Sequence, residues 1–110
     1  MTITASQTDA NQMPGVRFAS GSWINDDTVA AFTISLGFRP RYVRVVNETS
    51  RDQMEWFEGM TDTHGLKTVA AGTRTKPTSN GITVTDTGFT MGLDTDVVVT
   101  DEQIRWQAWG

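Results

Sequence analysis

The chain has 110 residues, a net charge of −4 and no cysteine. That length favours one domain with a modest core, burying roughly two-thirds of the surface of the unfolded chain. The missing cysteines exclude disulfides and thiolate metal sites, and the acidic balance argues against nucleic acid as a partner, because phosphate binding needs a basic footprint.

No apolar run approaches the roughly 18 residues that a membrane-spanning helix needs, so no membrane partner is expected. Residues 1–15 are polar and lack the charged-then-apolar plan of a signal peptide, which makes the cytoplasm the expected site of synthesis. Residues 1–14 read as an extended arm, with Ile3 and Met13 as its only sizeable apolar groups. Fully extended, such an arm reaches about 45 Å. It either frays or orders against a neighbouring subunit. Residues 15–110 then form a single β domain.

Residues 16–20 predict a short first strand, Gly21-Ser22 a turn, and Trp23-Ile24 an apolar pair ahead of a turn at 25–27. Residues 28–36 carry the clearest strand signal. Phe32, Ile34 and Leu36 fall on one face, and Ala31, Thr33 and Ser35 on the other, which is the two-residue period of a half-buried strand. Gly37 ends it, and Pro40 marks a loop or sheet edge. Residues 42–47 and 53–58 predict a hairpin with a five-residue connection. Val43 and Val45 oppose Tyr42, Arg44 and Val46; Met54 and Trp56 oppose Glu55 and Phe57. Both faces of this hairpin carry apolar groups.

Residues 66–71 are ambiguous between strand and helix, and 73–80 form a polar loop around Pro77. From 82 onward the chain reads as a meander with strands at 82–85, 89–91, 97–100 and 103–109. Asp86-Thr87-Gly88 and Asp101-Glu102 punctuate it. No stretch sustains a helical apolar period. The fold class expected is all-β, a small antiparallel sandwich or barrel with an extended N-terminal arm.

Candidate chemistry is sparse, and no catalytic, cofactor-binding or metal-ligating residue is assigned; no cofactor and no enzymatic activity are expected. His64, the one histidine, sits in a polar loop without an evident acid–base partner. Asp94 and Asp96 match the first two ligands of a calcium loop. Val97-Val98-Val99 follows, with neither a third ligand nor a hinge glycine, so the pair reads as turn-forming.

Trp56, Phe57, Trp106 and Trp109 are either core residues or a carbohydrate-stacking platform. Alternation along 103–109 puts Ile104, Trp106 and Ala108 on one face and Trp109 on the polar one, where it can anchor a partner. Arg39, Arg41, Arg44 and Arg51 crowd the middle of the chain; Asp86, Asp94, Asp96, Asp101 and Glu102 crowd its end. Either both sets are solvated, or a basic patch on one copy meets an acidic patch on the next.

Two stretches carry a family resemblance. One is Gly37-Phe38-Arg39-Pro40-Arg41-Tyr42-Val43-Arg44-Val45-Val46-Asn47 with Glu55-Trp56-Phe57-Glu58-Gly59-Met60. The other runs from Gly81-Ile82-Thr83-Val84-Thr85 through Gly88-Phe89-Thr90-Met91-Gly92 to Asp96. Together they resemble small virion structural proteins of tailed bacteriophages, over most of residues 28–110. The resemblance implies a place in the particle without fixing it; the capsid surface is the place expected. It fits a capsid decoration (cement) protein whose partners are the major capsid protein and further copies of itself, a trimer being favoured. Ile3, Met13, Arg39, Arg41, Arg44 and Trp109 are the subunit-contact candidates. A tail, neck or fibre-base module and a carbohydrate-binding host-recognition module are the alternatives.

Overall fold

The computed structural model describes residues 3–10, 17–25 and 29–110. Among them the strands are β1 (Ile3–Ala10), β2 (Phe18–Asn25), β3 (Phe32–Ser35), β4 (Tyr42–Asn47), β5 (Asp52–Phe57), β6 (Leu66–Thr68), β7 (Arg74–Thr75), β8 (Ile82–Thr85), β9 (Gly88–Met91) and β10 (Gln103–Trp109). A seven-stranded sheet has the order β1-β2-β10-β4-β5-β6-β7, and a three-stranded sheet the order β3-β9-β8. All pairings among these strands are antiparallel. The two sheets pack as a sandwich, in line with the all-β expectation.

Alternation decides which residues fill the sandwich. Trp23, Val43, Val45, Met54, Trp56, Ile104, Trp106 and Ala108 bury from the large sheet, and Ile34, Ile82, Val84, Phe89 and Met91 from the small one. Trp23 stacks on Phe32 with centroids 4.5 Å apart, and Phe89 meets Trp106 edge-on at 5.6 Å. These ring pairs cross between the layers and add to the area the core removes from water. In the small sheet Gly88 pairs with Ser35 and Thr85. A Cβ there would run into the carbonyl oxygen of Ile34, so that position needs glycine.

Four readings of the sequence are corrected. Gly21-Ser22 is not a turn but the middle of β2, where Gly21 lies opposite Trp106 and Ser22 opposite Arg105. Residues 28–36 yield a shorter strand, Phe32–Ser35; residues 26–28 lie outside the described ones. The β4–β5 connection has four residues, since Asn47 and Asp52 already pair. Arg51 closes that turn with φ 67° and donates its N–H to the Asn47 carbonyl.

The fourth correction concerns the strand expected at 97–100, which is a turn-rich connection. Asp94 accepts the backbone N–H groups of Asp96 and Val97, and the Val98 N–H donates to the Asp94 carbonyl. This local capping competes with any ladder. Val97 and Val98 are buried nonetheless. Of the ambiguous residues 66–71, only Leu66–Thr68 is strand. Of the segment expected to be an arm, Ile3–Ala10 pairs with β2 along its whole length.

Candidate docking face of the seven-stranded sheet

One face of the large sheet packs on the small sheet. The other is assembled by register from four adjacent strands. Trp109 lies opposite Phe18 on β2 and opposite Tyr42 on β4, and Tyr42 lies opposite Phe57 on β5. The four rings form one row, with successive centroids 5.0, 5.2 and 5.2 Å apart and interplanar angles of 52°, 46° and 54°. Trp109 keeps 38% and Phe57 44% of its surface exposed, so the row is open to a partner.

One step along the strands the face turns polar. Ser20, Gln107, Arg44 and Glu55 are register neighbours, and Ser22, Arg105, Val46 and Gln53 follow. Beside the ring row lies a groove of about 480 Å³ lined by Ser20, Ser22, Arg44, Val46, Arg105 and Gln107. Arg44 donates to Gln53 Oε1 from Nε at 3.3 Å and from Nη2 at 2.9 Å. Arg105 pairs with Glu48.

The Tyr42 hydroxyl donates to Glu55 Oε2 at 2.5 Å. Burial pushes the Tyr42 pKa up, the Glu55 hydrogen bond and charge push it further, and Arg44 opposes them; the result is about 12. The phenol therefore stays neutral, as a fixed donor with an apolar ring.

The residues proposed from sequence are distributed unevenly around this face. Trp109 is central to the ring row and Arg44 to the groove. Arg39 instead pairs with Asp86 at 3.2 Å, and Arg41 with Glu58 at 3.6 Å. Both are exposed pairs of small energetic weight. The two charge clusters touch within one chain at Arg39 and Asp86, while Asp94 and Asp96 pair with Lys67, outside the basic cluster. Ile3 opens β1 opposite Asn25; Met13 lies outside the described residues.

Sequence reasoning missed Phe18, Tyr42 and Phe57 as members of one surface. Alternation already set Tyr42 on the face opposite Val43 and Val45, and Phe57 on the face opposite Met54 and Trp56. The signal for Phe18 was lost when β2 was split at Gly21. Trp56 and Trp106 are core residues and take no part in the ring row.

The Asp94-Thr95-Asp96 segment holds a cation of its own. Lys67 Nζ sits 3.1 Å from Asp94 Oδ1 and 2.5 Å from Asp96 Oδ2. Among the described residues no group of three or more His, Asp or Glu side chains could hold a metal ion. His64 is half-buried, and its carbonyl accepts the Ile82 N–H.

No protein-family model, no curated protein and no solved structure matches this chain.

Proposed function

We propose that this chain is a structural protein of a tailed-phage virion. In this reading it is a capsid decoration (cement) protein, docking on the major capsid protein through the open face of the seven-stranded sheet. The virion part rests on the resemblance of residues 28–110. The docking part is carried by one observation: four aromatic rings in contact across four strands, with Trp109 and Phe57 substantially exposed. Aromatic anchors of this kind carry a large share of binding energy at protein interfaces. The polar groove beside them supplies the hydrogen-bonding rim such an interface uses. Several weak contacts per homo-oligomer would then add through linked binding.

Quantifying the chain against the major capsid protein in purified particles tests this. A ratio near one, or a simple fraction of it, supports the cement role. A ratio nearer a hundredth moves the protein to the neck, tail or fibre base, and absence from particles removes the structural reading. Particles assembled without the chain should also lose resistance to heat and low salt; unchanged survival would sink the stabilising role.

A carbohydrate-binding module is the second reading, favoured by the Ser, Arg and Gln side chains lining the groove beside Trp109. It ranks below the first because the rings are tilted by 46–54° and do not offer one flat stacking plane. Retained glycan binding by wild-type chain, lost in Trp109→Ala with the fold intact, would reverse that ranking.

A further inference from the structure

A sheet edge with free main-chain groups recruits another strand unless something blocks it. Among the described residues four strands are edges: β1 and β7 of the large sheet, β3 and β8 of the small one. Three of these are short or covered. β7 has two residues and is followed by Lys76 and Pro77. β3 has four residues. β8 also has four, and the β5–β6 connection covers it. The Ile82 N–H donates to the His64 carbonyl, the Thr63 N–H donates to the Ile82 carbonyl, and the Val84 N–H donates to Asp62.

β1 differs in each respect. It has eight residues, and among the described strands it pairs with β2 alone. Its sequence, Ile3-Thr4-Ala5-Ser6-Gln7-Thr8-Asp9-Ala10, contains no Lys, Arg or Pro, and Asp9 is its only charge. A long, nearly neutral, proline-free edge lacks the residues that keep edges single.

We propose that β1 pairs antiparallel with β1 of a second copy about a twofold axis, joining two large sheets into one continuous sheet. The sequence of the strand is what selects a second copy as the occupant. The pleat requires residues facing each other to share a parity, so the axis passes at a residue; with it at Ser6, Ser6 faces its own counterpart, Ala5 faces Gln7, Thr4 faces Thr8, and Ile3 faces Asp9. No like charges oppose each other, and the two Asp9 positions lie about 20 Å apart along the ladder, beyond the screening length at physiological salt. Parallel pairing in register would instead set Asp9 beside Asp9, which is unfavourable. The antiparallel ladder supplies about six to eight main-chain hydrogen bonds. The contact is isologous and closes as a dimer, in place of the trimer favoured above for a cement protein. It does not rest on the virion reading and needs no phage component.

The experiment is sedimentation equilibrium of the purified full chain, with a spin label at Ser6→Cys. The native chain has no cysteine, so the label is unique. A concentration-dependent dimer is expected, with labels within about 15 Å of each other, since paired strands lie about 4.8 Å apart. The double variant Ser6→Lys/Gln7→Lys should raise the dimer dissociation constant at least about tenfold by setting like charges across the ladder. A monomer at every concentration overturns the proposal. So does a dimer without the short label distance, or one that the double variant leaves intact.

Discussion

Lys67 Nζ lies 3.1 Å from the carboxylate of Asp94, tying β6 to the connection that precedes β10. Both side chains are largely buried, at 14% and 8% exposed. Burial alone would lower the Lys67 pKa, but hydrogen bonds and attraction from Asp96 and Asp94 outweigh it and hold the pKa above its ordinary 10.5. Lys67→Met leaves Asp94 without its cation and should cost about 3 kcal/mol in urea unfolding at neutral pH. Because the folded value is raised, the stabilisation is complete below the unfolded value and fades as pH climbs through the folded one. Wild-type stability should therefore fall at alkaline pH more steeply than that of Lys67→Met. Parallel curves for the two proteins would remove the ion pair from the account.

Asn47 is fully buried yet satisfied. Its Nδ2 donates to the Val97 carbonyl and to Glu102, and its Oδ1 accepts from the Thr49 and Ser50 N–H groups. Asn47→Asp keeps the acceptor but sets a carboxylate against Val97 O and Glu102. A loss of about 3 kcal/mol is expected, read from the denaturant midpoint, since buried groups left unpaired cost about 1–3 kcal/mol each. A loss below about 1 kcal/mol would mean that the 92–102 connection is held by other contacts.

Tyr42 is the one tyrosine, so a phenolate titration reads a single group. Its midpoint in the folded protein should lie near 12. Glu55→Gln should bring it down, because the carboxylate charge that resists ionisation is gone. The raised value adds stability below the unfolded pKa of 10.0 and withdraws it as pH rises toward 12. An ordinary midpoint in native protein would show that the Tyr42–Glu55 hydrogen bond does not persist in solution.

Trp109→Ala and Phe57→Ala remove exposed rings rather than core. Phe57→Ala should unfold within about 1.5 kcal/mol of wild type, the upper end for one aromatic pair, and Trp109→Ala, which loses two such pairs, within about 3 kcal/mol. Each should bind particles stripped of the protein at least about tenfold more weakly, as hot-spot truncations do. Trp106→Ala is the contrasting variant. Its indole is buried against Phe89, so it should cost about 3–5 kcal/mol of stability. Undiminished binding by both surface variants would place the docking site elsewhere.

Strand content and the grouping of side chains by face were legible in the sequence because side chains alternate with a period of two. Val43 and Val45 bury together, as do Ile104, Trp106 and Ala108, where alternation placed them. Local turn chemistry was less dependable. Gly21-Ser22 resembles a turn, yet it continues β2, since Ala19 and Trp23 on either side bury on the same face. Residues 97–99 have strong β propensity, but the Val97 N–H donates to Asp94 and the Val97 carbonyl accepts from Asn47, which bends them into a connection.

The sequence by itself determined an acidic, cysteine-free, all-β chain with its core residues on alternating positions. Only the tertiary structure decided the docking face. Phe18, Tyr42, Phe57 and Trp109 become one row because β10 inserts between β2 and β4 in one particular register. Period-two alternation is a local property that each strand carries alone. Strand order and register arise from how two whole sheets close over a shared core, and a shift of one residue would have scattered the row across both faces.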